Sequence, residues 1–358
     1  MAVTMQTYGL SAQRIGKYKG EILAHAVPKE VLGREGRQVK MPKNHSDTYV
    51  ARRWLPYGAL STNATTQNTF FPTATGDRGN VIVQAHQTQE GVTPPPESIT
   101  PMDVTVVIQQ YSCLYGFTDK TYDLYEDDIP KEMIRQVGER VTLVNELIIY
   151  GVLKGCTNAY FGGTGTTLAT VNGGITLGFI RKITKSLQAN HASYVTKVLA
   201  ASGDYGTDAV AEGYVIYAHT DLEPDIRDLP GFVPAEKYAS GKPMQYEVGK
   251  VERFRFITSP DLPSFQDGGA AIGSTNLFST TGTSIDVYPF IVCAQDAWSQ
   301  IAVRGKESLD PTFIPPGVKS KSDPHGQRGY AGTIWWKAAL VENNGWLAVG
   351  NVGVKNLA

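Results

Sequence analysis

The sequence predicts a mixed α+β chain, and three observations predict it. One long apolar stripe recurs at helical spacing over residues 128–154, several β-branched and aromatic runs have strand length, and the stretches between them are rich in Thr, Asn, Gly and Pro. At 358 residues the chain is long enough to bury a sizeable core, as about two domains or one domain with subdomains. Charged residues make up 19%, below the roughly 25% of ordinary soluble domains, while 37 Gly and 20 Pro mark a loop-rich protein that covers surface by association.

Residues 1–48 alternate short apolar groups with charges and end in Lys40-Met41-Pro42-Lys43-Asn44-His45-Ser46-Asp47. No helical or strand period persists there, so the segment reads as an extended N-terminal arm with room for one short helix. Residues 1–53 carry ten Lys or Arg against four Asp or Glu, a net +6 that leaves −7 elsewhere and −1 overall. A dedicated DNA binder would concentrate basic charge on its folded body, and this chain does not. The basic arm is either solvated or lies on an acidic neighbour or packaged nucleic acid.

Two strand-like runs follow, residues 49–60 and 104–119, the second rich in β-branched and aromatic residues. Between them lie more than forty residues dominated by Thr, Asn, Gly and Pro, including Pro94-Pro95-Pro96. An unstructured insertion of that length is expected to be functional or ordered by a partner. Trp54, Tyr57, Phe70 and Phe71 lie in or beside it, where a monomer has little core to bury them, so contacts between subunits are expected of them. The alternative is that they fold back on their own domain.

The stripe Ile129, Met133, Val137, Val141, Val144, Ile148 and Val152 advances by three or four residues, which places it on one face of a helix. Asp127 and Asp128 supply capping carboxylates, Pro130 suits the first turn, and Lys154-Gly155 supplies a cation and a terminating glycine. At 1.5 Å per residue this is a rod of roughly 40 Å. Leu143, Leu147, Ile149 and Leu153 widen the stripe, so deeper burial is expected towards its C-terminal end. Gly162-Gly163-Thr164-Gly165-Thr166-Thr167 reads as a turn or hairpin. A second amphipathic helix is expected over 176–190, with Leu177, Ile180, Ile183 and Leu187 inward and Arg181, Lys182 and Lys185 outward. Beyond it come a strand at 214–218, a short helix capped near Asp221 with Pro224 in its first turn, and strands at 251–257, 287–293, 332–339 and 345–354.

Chemistry is sparse. The Gly-rich stretch lacks the Lys of a phosphate loop, and no G-x-S-x-G elbow occurs. Cys113, Cys156 and Cys293 are odd in number and far apart, and read as small apolar residues in a reducing compartment. His219 with Asp221, Glu223 and Asp225 is the best metal candidate, although carboxylates at a helix start are ordinary dipole compensation. No catalytic residue, metal or cofactor is assigned. The first ten residues lack a leader pattern and no run approaches a membrane span, so folding in a cytoplasm is expected.

An arm, a long two-stranded loop, a long helix and then mixed subdomains is the order of parts in the Hong Kong 97-type capsid fold. The sequence resembles the major capsid proteins of its N-four-like branch at Glu90-Gly91-Val92-Thr93-Pro94, at 153–163 (LKGCTNAYFGG) and at 232–239 (FVPAEKYA). It does so again at 286–298 (DVYPFIVCAQDAW) and 322–339 (SDPHGQRGYAGTIWWKAA). It departs at Cys293-Ala294, where the family often has a glycine, and in an enlarged loop at 262–284. The resemblance implies an N-terminal arm (1–48), an extended E-loop (49–119), a P-domain (120–205) with its spine helix at 128–154, an A-domain (206–309) and return strands (310–358). It adds Glu90 and Pro94 to the expected inter-subunit contacts. It also implies hexamers and pentamers of an icosahedral head, assembled in the host bacterial cytoplasm with scaffolding and portal proteins, joined by a decoration protein and filled with double-stranded DNA that is not read by sequence. Three other readings stand beside it: an encapsulin-type nanocompartment shell, an enzyme using carboxylates such as Asp221 and Asp225, and a tail or decoration protein, which the spine helix disfavours.

Overall fold

Three segments form the centre of the molecule, buried along nearly their whole length: Tyr214–His219 and Tyr288–Cys293 are almost wholly apolar, as strands covered on both faces are, and Phe254–Ser259 buries Arg255, Thr258 and Ser259 beside its apolar residues. A computed structural model describes residues 27–34, 36–44, 46–56, 68, 70, 82–84, 86–93, 96, 98–125, 128–196, 212–238, 243–273, 275–304 and 311–357. The strands β1 (Arg37–Met41), β2 (Thr48–Trp54), β3 (Pro101–Val107) and β4 (Gln109–Thr118) come first. A short helix α1 (Asp119–Leu124) leads into the long helix α2 (Ile129–Leu153), then β5 (Ala159–Phe161) and α3 (Leu177–Ala189). After β6 (Tyr214–His219) and α4 (Glu223–Arg227) come β7 (Val233–Pro234), β8 (Glu247–Val251), β9 (Phe254–Ser259) and β10 (Tyr288–Cys293). The last strands are β11 (Trp298–Val303), β12 (Thr312–Ile314), β13 (Arg328–Val341) and β14 (Leu347–Val352).

The central sheet has seven strands in the order β5-β14-β10-β6-β9-β8-β7. Period-two alternation sends Tyr214, Ile216, Phe254, Phe256 and Phe290 to one face, where they meet Ile180, Ile183 and Leu187 of α3. Val215, Tyr217, Ile257, Ile291 and Cys293 point the other way, onto Ile149, Tyr150 and Leu153 of α2. Each such side chain contributes roughly 1.5–3 kcal/mol on burial. The N-terminal half of α2 lies on a second sheet of five strands, ordered β1-β11-β13-β12 with β4 also on β13. There Val137 and Val141 pack on Cys113 and Trp335, and the Trp335 indole donates to Asn145 Oδ1 at 2.8 Å. The helix is therefore a spine that joins the two sheets.

The spine begins where its sequence said it would. The Asp128 carboxylate accepts from the Lys131 N–H and Pro130 occupies the first turn, while Lys154 closes the C-terminal end. The second helix is bounded by Thr176, which accepts from the Phe179 N–H, and by Asn190. The deeper burial expected towards the C-terminal end of α2 is found at Ile149 and Leu153, joined by Glu146 and Tyr150, whereas Val152 and Leu147 of the expected stripe are exposed. From Ile129 to Val152 the stripe takes six steps over 23 residues, an average of roughly 3.8 that exceeds the 3.6 of a helical turn and so drifts around a straight helix, and Ile149 and Leu153 take the contact face in place of Ile148 and Val152.

Several expected strands are redrawn. The run 104–119 is broken at the buried Ile108, whose N–H donates to Asp47 O at 2.9 Å, so that β3 pairs with β2 and β4 crosses to β13. The run 251–257 reverses at Glu252, with φ 49°, and becomes the β8–β9 hairpin. The helix α4 has Leu222 at its N-cap with no side-chain cap, and the side-chain cap belongs to the turn Thr220–Leu222 just before it, where His219 Nδ1 accepts from the Asp221 N–H. The arm contains a strand, β1, running parallel to β11 in the register Arg37 to Ser299. Across the expected domain limits, β5, α3 and β14 build onto the sheet of β6, β9 and β10, while β11 joins the β13 sheet. The enlarged loop at 262–284 is ordered by one buried carboxylate: Asp286 Oδ1 accepts from the Asp267 and Thr280 N–H groups at 2.8 and 3.2 Å.

Candidate functional site

The β2–β3 hairpin is built in register from Thr48–Val107 to Trp54–Pro101, so opposite residues share a face. Tyr49, Ala51, Val104 and Val106 cover Met41, Ile301, Ala338 and Leu340 of the five-stranded sheet. Among the described residues nothing covers the opposite face, where the exposed Val50 and Val107 flank an Arg52–Asp103 fork at 2.6 and 2.8 Å. An exposed pair of this kind sets register more than it stabilises.

Of the residues expected at subunit contacts, Trp54 stands at the end of β2 with 58% of its surface exposed, and Phe70 is 46% exposed. Phe70 also meets the edge of His191 on its own chain at 5.0 Å, which is the fold-back arrangement. Glu90 lies exposed in a turn. Tyr57, Phe71 and Pro94 lie outside the described residues.

A second open face escaped sequence reasoning. In the β4–β13 ladder Leu114 stands opposite Gly332 and Ile334 opposite Ser112, all pointing away from the spine helix. Leu114 is 63% and Ile334 60% exposed. The alternation Cys113 inward, Leu114 outward and Trp335 inward, Ile334 outward is a signal that was available, but it requires knowing that the spine covers only one face. Exposed apolar residues lying diagonally across a sheet face that no described residue covers are what an association surface presents.

The metal candidates do not converge. His219 Nδ1 accepts from the Asp221 backbone, Asp221 Oδ2 accepts from the Tyr288 hydroxyl at 2.9 Å, Glu223 holds Arg227, and Asp225 Oδ2 accepts from the Lys355 N–H. Among the described residues no group of three or more His, Cys, Asp or Glu could hold a metal ion, and no helix is long and apolar enough to cross a membrane. The three cysteines are buried thiols, and burial pushes Cys156 up to about 11, away from the thiolate needed for nucleophilic chemistry. What the surface offers is apolar and polar area for association.

No family model matches the chain. It is 20% identical over 262 residues to the major capsid protein of Pseudomonas phage KPP21, a match that covers 68% of this chain and 65% of that relative. A chain from the capsid of Ralstonia phage GP4 superposes over 100% of both chains at 12% identity with a TM-score of 0.62. The capsid of cyanophage Pam1 matches 98% of this chain and 99% of its own at 13% identity and TM-score 0.58. The head of Helicobacter pylori bacteriophage KHP40 matches 96% and 95% at 10% identity and TM-score 0.57. These superpositions establish the fold: the α+β architecture expected from the sequence is that of phage capsid chains.

Proposed function

We propose that this chain is a major capsid protein, the structural subunit that self-assembles into the hexamers and pentamers of an icosahedral phage head. The observation that carries the reading is an end-to-end correspondence of fold with a phage capsid chain, supported by the sequence match to a phage major capsid protein. These matches favour the viral shell over the nanocompartment. The two open apolar faces and the hairpin at the head of the long β2–β3 connection support association over many modest interfaces. A net charge of −1 lets like copies pack without strong repulsion.

On this reading the chain acts as structure and not as an enzyme. Residues 49–119 reach over a neighbouring copy, and Trp54, Tyr57, Phe70, Phe71, Glu90 and Pro94 contribute contacts there. Scaffolding, portal and decoration proteins are its partners, and the shell, assembled in the host bacterial cytoplasm, encloses double-stranded DNA without reading its sequence.

Sedimentation of the purified wild-type chain beside Leu114→Asp and Ile334→Asp tests this. Wild type is expected to form capsomers or larger species with rising concentration, and each Asp variant to shift towards the monomer with an unchanged thermal midpoint. A wild-type chain that stays monomeric overturns the function, and variants that assemble normally overturn the role of the β4–β13 face.

A further inference from the structure

The chain carries no Asp or Glu from residue 147 to residue 203, a stretch that holds five Lys or Arg. At its overall density of 34 acids in 358 residues, about five would be expected there. Helix α3 lies within this stretch. Ile180, Ile183 and Leu187 face the central sheet, so at about 100° per residue Arg181, Lys182 and Lys185 fall on the opposite side, where all three are exposed. A fourth cation joins them from the turn between β8 and β9. Arg253 is exposed, lies over the Tyr194 ring at 5.2 Å and donates to the Tyr194 hydroxyl, which also accepts from Gln188 of α3 at 3.2 Å. Lys182 lies over the Tyr160 ring at 5.6 Å. Among the described residues only Arg181 of the four is held by a carboxylate, that of Glu252, at 2.9 and 2.5 Å.

We propose that the outer face of α3, together with Arg253, is a contact surface for the phosphates of double-stranded DNA. The choice of partner rests on the capsid reading, in which DNA is the polyanion that the shell encloses. Three features of the face support it. An aromatic ring positions a cation without neutralising it, so Lys182 and Arg253 keep their charge for an incoming anion. Arg181 and Lys185 are four residues apart, a like-charge pair that weakens a helix by itself and that a bound phosphate turns into attraction on both sides. The face is also free of apolar bulk. Among the described residues from 153 to 245 no large apolar side chain is exposed, so it lacks the apolar centre that a protein partner would bury, whereas phosphates require only placed positive charge. Four cations are too few for a dedicated DNA binder. Repeated over every copy of a shell, they hold the polymer along its wall by many weak contacts, each of which exchanges readily with salt.

The test uses the full chain, unassembled, as wild type, as the double variant Lys182→Ala with Lys185→Ala, and as a control, Lys319→Ala with Lys321→Ala. The control removes the same charge from two exposed positions between β12 and β13. Binding to a short labelled duplex of mixed sequence is read by fluorescence anisotropy across a salt series, with polyglutamate of equal charge as a second probe. The α3 variant is expected to bind the duplex severalfold more weakly than wild type, with the slope of log affinity against log salt reduced by about 2 and the thermal midpoint unchanged, while the control keeps the wild-type slope. An α3 variant with the wild-type slope, or one that loses no more than the control, overturns the surface, and the capsid reading, which assembly tests separately, stands. A wild-type chain that binds polyglutamate more tightly than the duplex overturns DNA as the partner. Duplex binding lost only in the α3 variant, from a wild-type chain that never assembles, keeps the surface and overturns the shell.

Discussion

Glu146 sits within the apolar face of the spine helix with 1% of its surface exposed. Its Oε1 accepts from the Val31 and Leu32 N–H groups at 3.0 and 2.9 Å, and its Oε2 has no hydrogen-bond partner among the described residues. Leu32 is itself fully buried against Ile149, Tyr150 and Leu153, so one carboxylate fastens the segment ahead of β1 to the spine. Burial, with a smaller push from Glu30, raises the proton affinity of Glu146, and the backbone N–H groups of Leu32, Val31 and Gly33 oppose this. Lys337 of β13 faces the same region, its amine donating to Gln300 Oε1; burial lowers its proton affinity, and Glu30 and Glu146 offset that. A carboxyl whose folded value lies above 4.5 binds its proton more tightly in the native state. Stability therefore rises as pH falls from the folded value towards 4.5 and declines as pH rises through the same window. In denaturation series on the unassembled subunit, Glu146→Gln should abolish that slope while keeping an acceptor for both N–H groups. Glu146→Ala should cost about 2–4 kcal/mol, because two buried donors lose their acceptor. Sequence pattern could not reveal this residue, since a Glu beside an apolar stripe reads as its solvated flank until the strap that covers it is known.

The spine helix shows what its own pattern can and cannot specify. Its ends were legible because caps are local: Asp128, Pro130 and Lys154 act within one turn of the residues they cap, as do Thr176 and Asn190 on α3. Its contact face was legible in the first half and, in the second, at Ile149 and Leu153 but not at Val152 or Leu147. Ile149 and Leu153 are 1% and 0% exposed, whereas Val152 is 37% exposed. Ile149→Ala should therefore cost about 2–5 kcal/mol in chemical denaturation, and Val152→Ala no more than about 0.5 kcal/mol. Similar losses at both positions would restore the stripe drawn from spacing alone. Strands fared differently for a physical reason. The fully apolar runs of β6 and β10 announced themselves, but β1 exists because β11 lies beside it, and no short-range signal in Arg37–Met41 encodes that pairing. The division of β3 from β4 likewise depends on where Ile108 finds its core.

Across the whole molecule, one helix spans two sheets, a strap locks to it through Glu146, and apolar faces on β2–β3 and β4–β13 remain uncovered among the described residues. Such a body is stable by its own core and still presents surface for copies of itself. Trp54 and Phe70 keep that character: one stands open at a strand end, and the other meets His191 edge-on and is about half exposed. Candidate contacts at Tyr57, Phe71 and Pro94 rest on sequence, as does the reach of the connection that holds them. Electron microscopy of the purified chain across a concentration series is the most direct test of the central claim. Capsomers, tubes or closed shells are the expected result, and a monodisperse monomer persisting at high concentration would contradict it.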